Sequence, residues 1–159
     1  MESELLFGEF QRSLDDRYRV GIPADLLEPM DLQSGQAVLA KERPGCLSLW
    51  NAGLWRQKMD ASIKVLQGKI QAGRLEGRLN EVQQLGRLLS TRHRDVKLSD
   101  RGRLLIPEGF REFLQVEPGD DAMVIGAAVC VEIWRPNAWV DYLNQRMPRF
   151  SKLFDKLVE

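Results

Sequence analysis

Short apolar runs punctuated by polar turns occupy both ends of the chain, and a long helical periodicity fills the middle. Glu9–Leu14 is a short strand candidate, Asp15–Tyr18 is polar and turn-like, and Arg19–Ile22 is a second short strand with an apolar end. Pro23 suits the first turn of a helix, where its missing N–H costs nothing, and Ala24–Met30 places Leu26, Leu27 and Met30 on one brief helix. After the Gln33-Ser34-Gly35 turn, Ala37–Lys41 and Cys46–Trp50 read as strands around a loop marked by Pro44-Gly45. From Leu54 to about Leu89 the apolar residues Leu66, Ile70, Leu75, Leu79, Val82, Leu85 and Leu89 recur at helical spacing. Gly68, Gly73 and Gly77 weaken that helix, and a break is expected near Ala72–Gly73.

The remainder follows the plan of the start. Asp95–Leu98 and Leu104–Ile106 flank a polar Ser99–Arg103 turn, and Pro107 opens a short helix to about Leu114. After Pro118-Gly119, Ala122–Ile125 and Val129–Trp134 read as strands around a Gly126-Ala127-Ala128 loop. Asn137–Met147 is a helix, Pro148 interrupts it, and Phe150–Val158 is amphipathic.

The two ends match in detail. At an ungapped offset of 84, Leu14–Trp55 and Leu98–Trp139 agree at 11 of 42 positions. The agreements include Cys46 with Cys130, Trp50 with Trp134 and Trp55 with Trp139, all rare residue types. A repeated unit governs the reading of the whole fold. Two copies are too few for an open solenoid, so the halves are expected to fold against each other about a pseudo-twofold axis. Gly102 suits a turn that needs positive φ, whereas its counterpart Tyr18 does not, so the first turn is expected to be built differently or held open.

Composition is that of an ordinary globular chain of 159 residues, 43% hydrophobic and 29% charged. No run approaches a membrane span, and the acidic N-terminus from Met1 to Gly8 has no signal-peptide core, which points to a cytoplasmic protein. Net charge is zero, yet residues 56–111 hold 13 Lys/Arg against 6 Asp/Glu, while the flanks are acidic. Local sign sets where a polyanion docks, although solvated helix faces would give the same pattern.

Candidate chemistry is sparse. Cys46 and Cys130 read as buried thiols, and with one histidine they do not make a metal site. His93 lacks a readable catalytic partner and is expected at the surface or capping backbone. Asp15-Asp16 and Asp120-Asp121 are adjacent pairs, pointing to opposite faces of an extended chain rather than forming a dyad. No enzyme motif and no cofactor fingerprint is present. The four tryptophans read as packing anchors. Arginine is well suited to DNA because its planar fork reaches guanine O6 and N7 or clamps a phosphate. Arg17 and Arg19 are two apart, as are Arg101 and Arg103, and each pair would share a face if the backbone were extended. An Asp four residues before an Arg can hold it in one rotamer, so Arg103, following Ser99, is expected to be more mobile than Arg19, following Asp15. Plain turn cations paired with Asp15, Asp16 and Asp100 are the other reading.

The doubled Leu-Asp-x-x-x-Arg-x-x-Ile-Pro pattern resembles the MraZ family of bacterial transcription regulators, built from two SpoVT/AbrB-like units. The features concerned are Phe7-Gly8, Leu14-Asp15 with Arg19, Ile22-Pro23, Gly86-Arg87-Leu88-Leu89, Arg101-Gly102-Arg103 with Ile106-Pro107, and the strand endings at Trp50 and Trp134. The resemblance covers nearly the whole chain. Ser99 stands where the family pattern has Asp, Tyr18 where it has Gly, and Asp16 adds an acid beside the turn.

The resemblance implies an α+β fold: a duplicated swapped-hairpin β-barrel with flanking helices, forming a pseudo-twofold monomer. It divides the chain into a first repeat at 7–55, connecting helices at 56–91, a second repeat at 92–136 and a C-terminal helix at 137–159. It implies a nucleoid-associated regulator, usually a repressor, that binds repeated boxes in the promoter of the division and cell-wall gene cluster as a ring homo-oligomer. No enzyme activity, cofactor, metal or membrane partner is implied. Asp15, Arg17, Arg19, Arg101 and Arg103 are the expected DNA-binding residues, with Arg12, Arg92 and Arg94 as weaker phosphate candidates. A ring-forming interaction module on the same fold, with specific DNA binding weakened or lost, remains the alternative.

Overall fold

A computed structural model describes residues 4–159; Met1, Glu2 and Ser3, the start of the acidic N-terminal stretch, lie outside the described residues. Among the described residues eight strands and six α-helices follow one another as β1 (Leu6–Ser13), β2 (Arg19–Gly21), α1 (Ala24–Met30), β3 (Gln36–Arg43), β4 (Cys46–Asn51), α2 (Ala52–Gln71), α3 (Leu79–Arg92), β5 (His93–Lys97), β6 (Arg103–Leu105), α4 (Arg111–Leu114), β7 (Asp121–Ala128), β8 (Val131–Trp134), α5 (Pro136–Arg146) and α6 (Phe150–Val158). The architecture is mixed α+β, and all strand pairings are antiparallel.

The halves exchange strands. β1 of the first half pairs with β7 of the second, from Leu6↔Ala128 to Ser13↔Asp121. β5 of the second half pairs with β3 of the first, and β4 with β8 joins the two central hairpins. The result is a six-stranded sheet in the order β1-β7-β8-β4-β3-β5, beside a separate two-stranded ribbon of β2 and β6. The ladders do not close into one barrel. Pro23 and Pro107 follow the ribbon strands closely and have no N–H with which to continue a ladder.

One core fills the space between sheet and ribbon. It takes Leu14, Val20, Leu26, Leu39 and Leu49 from the first half and Leu98, Leu104, Phe110 and Ile133 from the second. Two smaller clusters lie outside this core, one around Trp55 and α2, the other around Trp134 and α5. The tryptophan pairs repeat: Trp50–Trp55 ring centroids are 5.7 Å apart and Trp134–Trp139 5.2 Å apart, both tilted by 57°. The packing role expected for the four tryptophans is what the structure shows.

Several boundaries differ from the sequence reading, including the starts of β1, β5 and β8 at Leu6, His93 and Val131, and three others bear on the packing. β7 runs on through Gly126-Ala127-Ala128 because β1 begins at Leu6 and supplies partners for all three. Gly126 permits this closeness, since a Cβ there would meet the backbone of Leu6 and Phe7 at 2.7 Å. α2 begins at Ala52, where the Asn51 side chain accepts hydrogen bonds from the Gly53 and Leu54 N–H groups. α3 continues past Leu89 to Arg92 and passes directly into β5. The break between α2 and α3 falls where glycine predicted it, with Gly73 at φ 72°.

The expected difference between the two turns is not found in the backbone. Tyr18 takes φ 60°, in the same left-handed region as Gly102 at φ 73°. The turns share their hydrogen bonds: Tyr18 N donates to Asp15 O (3.1 Å) and Gly102 N to Ser99 O (2.9 Å). A non-glycine residue there costs about 1–2 kcal/mol. Offsetting contacts come from the carboxylate of Asp15 and from Arg111, whose guanidinium stacks 4.0 Å from the Tyr18 ring centroid. His93 is also not a free surface residue. It is half-buried, with its ring 5.3 Å from that of Trp55.

Candidate nucleic-acid interface

The ribbon is centred on Val20 opposite Leu104, both buried in the core. Strand alternation then sends Arg19, Gly21, Arg103 and Leu105 to the opposite, outer face. Arg19 lies across from Leu105, and Gly21 across from Arg103, so the two arginines sit diagonally. Gly21 leaves open space beside Arg103, and Leu105 is 49% exposed. The pairing continues outward through Ile22 N to Gly102 O and Ile106 N to Tyr18 O, both 2.9 Å. Each of the two turns therefore leaves the ribbon at an opposite end.

Asp15 organises this face. One of its carboxylate oxygens accepts the backbone N–H groups of Arg17 (2.9 Å) and Arg19 (2.8 Å). The other accepts Arg19 Nε at 2.9 Å and lies 3.9 Å from Arg103 Nη1. One carboxylate thus stands against the leading arginines of both turns. These bonds, led by the Arg19 backbone N–H, hold the Asp15 carboxyl below its ordinary value. The second turn is simpler: Ser99 Oγ accepts only the Arg103 N–H, at 3.1 Å. The carboxylate partner of Arg103 comes from the other turn, at ion-pair rather than hydrogen-bond distance.

Arg17 and Arg101 are exposed in the turns. The extended backbone that would align each with Arg19 or Arg103 is absent, because Tyr18 and Gly102 are left-handed. The ribbon face therefore gathers Arg19, Arg103 and Asp15, and the exposed Arg17 and Arg101 stand at its ends. The weaker candidates lie elsewhere. Arg12, on β1, lies over the Phe10 ring. Arg92 pairs with Glu42 at 3.3 Å and lies over Trp55, a structural role. Arg94 stands exposed on β5, its guanidinium 5.9 Å from the Phe110 ring centroid.

Two residues of the site escaped the sequence reading. Strand alternation from Val20 and Leu104 could have placed Leu105 on the outer face. Nothing local could have found Arg111, which approaches Tyr18 only in the folded chain while its Nε donates to Ile106 O at 2.9 Å. The thiols behave as expected. Both are buried, which pushes the Cys130 pKa up to about 12 and that of Cys46 up as well. No helix among the described residues is long and apolar enough to cross a membrane.

Comparison with known proteins yields a coherent set. A family model described as "MraZ protein, putative antitoxin-like" matches residues 91–157. A protein named transcriptional regulator MraZ from Roseiflexus castenholzii (strain DSM 13941 / HLO8) is 30% identical over 155 residues, covering 98% of each chain. Proteins of the same name from Roseiflexus sp. (strain RS-1) and Heliobacterium modesticaldum (strain ATCC 51547 / Ice1) are 28% and 27% identical, again over 98% of each chain. The solution structure of PHS018 from Pyrococcus horikoshii is similar at 11% identity and a TM-score of 0.32, covering 84% of this chain and 90% of that one. With relatives matched from end to end at this level, the chain belongs to the MraZ family.

Proposed function

We propose that the chain is a DNA-binding transcriptional regulator that reads repeated promoter boxes through the β2–β6 ribbon. It acts as a repressor of the division and cell-wall gene cluster, in the nucleoid, as a ring of identical copies. The observation behind this reading is the outer face of the ribbon, where Arg19 and Arg103 converge on one carboxylate. A two-stranded ribbon fits the major groove of DNA, and an arginine there can read guanine bidentately. Asp15 holds Arg19 in place before DNA arrives, which lowers the ordering cost of docking. Arg17 and Arg101, exposed at the ends, are placed to meet phosphates on either side. The relatives' name, transcriptional regulator MraZ, supports the same role.

One ribbon offers few phosphate contacts and would bind weakly and in a salt-sensitive way. A ring raises avidity by presenting successive ribbons to successive boxes. The test is a mobility titration on DNA from upstream of the division and cell-wall cluster, against scrambled DNA of equal length. Stepwise, salt-sensitive shifts on the native DNA alone are expected. Arg19→Ala or Arg103→Ala removes about 1–3 kcal/mol of discrimination, roughly 5- to 150-fold. Equal binding to both DNAs, unmoved by either substitution, would sink this reading and leave an interaction module in its place.

A further inference from the structure

The two arginines of the ribbon are equivalent under the 84-residue repeat, but what stands beside them is not. Arg19 falls on Arg103 at that offset, and Gly21 falls on Leu105. These four residues make up the outer face of the ribbon, paired as Arg19↔Leu105 and Gly21↔Arg103. The bonds from Ile22 N to Gly102 O and from Ile106 N to Tyr18 O lie next to these pairs along the ladder. Arg19–Leu105 and Gly21–Arg103 are therefore the non-hydrogen-bonded pairs, the closer of the two antiparallel kinds, with Cα atoms about 4.5 Å apart. One arginine stands against a branched apolar side chain and the other against none.

The fold accounts for neither neighbour. Leu105 is 49% exposed and belongs to none of the three apolar clusters, although Leu104 before it and Ile106 after it are wholly buried. At Gly21 an added Cβ would meet nothing within 4 Å, and the backbone is not left-handed, so the chain itself does not require glycine there. A lone exposed leucine is ordinary on a protein surface. This one is flanked by Arg19 across the ladder and Arg103 along the strand, on the face proposed to enter the major groove. That groove offers one apolar group, the C5-methyl of thymine, and an apolar side chain touching it separates thymine from bases that lack it. Successive base pairs are about 3.4 Å apart, so side chains rooted on a close cross-strand pair address the same or adjacent base pairs.

We propose that Leu105 is a specificity-determining residue of the ribbon, meeting the methyl of a thymine next to the base pair that Arg19 reads. Gly21 leaves the matching place beside Arg103 without such a contact, so the two halves of the face prefer unlike bases. The inference rests on the ribbon being the DNA-reading surface. It adds a base that the arginines, suited to guanine, do not recognise.

Fluorescence anisotropy of the full chain at fixed salt tests it. The probes are the native upstream duplex and the same duplex made with deoxyuridine in place of thymidine, which removes the methyl and keeps the pairing. The wild-type chain is expected to bind the uracil duplex at least about 4-fold more weakly, the worth of one methyl group taken out of water. Leu105→Gly, which makes the second strand like the first, should bind the two duplexes alike. Leu105→Met keeps an apolar side chain and should retain the difference. Circular dichroism reports whether each variant keeps the fold, and Leu105→Ser replaces Leu105→Gly, with the same expectation, should the glycine variant unfold. Equal binding of both duplexes by the wild-type chain would overturn the methyl contact. A difference that persists in Leu105→Gly would show that it belongs to the DNA and overturn the assignment to Leu105. Where Arg19→Ala lowers the preference for native over scrambled DNA and uracil changes nothing, this inference fails and the ribbon reading stands. Equal binding of native and scrambled DNA by the wild-type chain overturns both.

Discussion

The turn at Asp15–Arg19 and the turn at Ser99–Arg103 share a backbone and differ in chemistry. Their backbone-to-backbone hydrogen bonds match: Asp15 N to Arg19 O and Ser99 N to Arg103 O are both 3.0 Å. The ribbon and the core beneath it impose this shape on two different sequences. What the sequence changes is the cost of holding the shape and the freedom of the arginine that leaves it. The first turn carries a strained Tyr18 and anchors Arg19 with a carboxylate. The second relaxes with Gly102 and leaves Arg103 dependent on a carboxylate from its neighbour. One turn supplies its own carboxylate, and the other draws on its neighbour's.

The strongest way to break this comparison is to remove the shared carboxylate. Asp15→Ala frees both arginines and unpairs the N–H groups of Arg17 and Arg19. Each rotamer-rich side chain then ordered on binding costs about 0.5–1.5 kcal/mol. The preference for native over scrambled DNA is expected to fall about 10-fold. Scrambled DNA alone should bind no worse, since the substitution removes a negative charge from the face proposed to meet DNA. Ser99→Ala removes one neutral hydrogen bond and should change the preference less than about 3-fold. Fluorescence anisotropy at fixed salt measures both ratios. Equal losses would mean that Asp15 does not organise the two turns together.

Backbone strain gives the next contrast. Gly102→Ala places a Cβ 2.8 Å from Leu27 Cδ2 at a left-handed φ, and should destabilise by about 1–3 kcal/mol. At Tyr18 the left-handed geometry is already accommodated. Tyr18→Gly relieves strain but loses the ring and its stack on Arg111, a contact in the range of about 0.5–2 kcal/mol. Those changes oppose each other, so Tyr18→Gly should lie near wild type. Tyr18→Ala, which keeps the strain and loses the ring, should be less stable than Tyr18→Gly by about 1 kcal/mol. Thermal unfolding resolves this, since 1 kcal/mol is about 2–4 °C for a chain of this size. Tyr18→Ala matching Tyr18→Gly would show that the left-handed backbone costs nothing there.

Much of this was legible in the chain because local chemistry and the global fold agree. The offset of 84 located the turns, the short strands and the tryptophan pairs, and Gly73 marked the helix break. The Asp15–Arg19 contact followed from spacing alone. Two kinds of feature were hidden. Non-local contacts such as Arg111 on Tyr18, or Asp15 reaching Arg103, join residues 93 and 88 positions apart and leave no local trace. The conformation of Tyr18 was also misjudged, because intrinsic preference gave way to a ladder on both sides of it. The end of β7 was hidden for the same reason, since its length is set by where β1 begins.

The same comparison of halves reaches the outer face of the sheet, with the smallest expected effect. Trp50 Nε1 donates to Ser48 Oγ at 2.8 Å, and at the 84-residue offset Trp134 Nε1 donates to Glu132 Oε1 at 3.0 Å. Where one half uses a neutral hydroxyl, the other uses an acid. Burial raises the Glu132 pKa; the Trp134 bond opposes that rise and nearby Glu42 adds to it. The folded chain therefore holds this proton more tightly than the unfolded chain. Stability should fall as pH rises from the ordinary glutamate value of about 4.3 through the raised one, and the penalty is complete above it. Glu132→Gln keeps an oxygen for Trp134 and removes the charge. It should be more stable than wild type at neutral pH, by less than about 1 kcal/mol because the site is partly solvated. Its advantage should vanish below pH 4, where the wild-type carboxyl is neutral. Denaturant titrations of both chains at pH 4 and pH 7 decide it: a difference that stays constant between the two would mean that Glu132 carries no burial penalty.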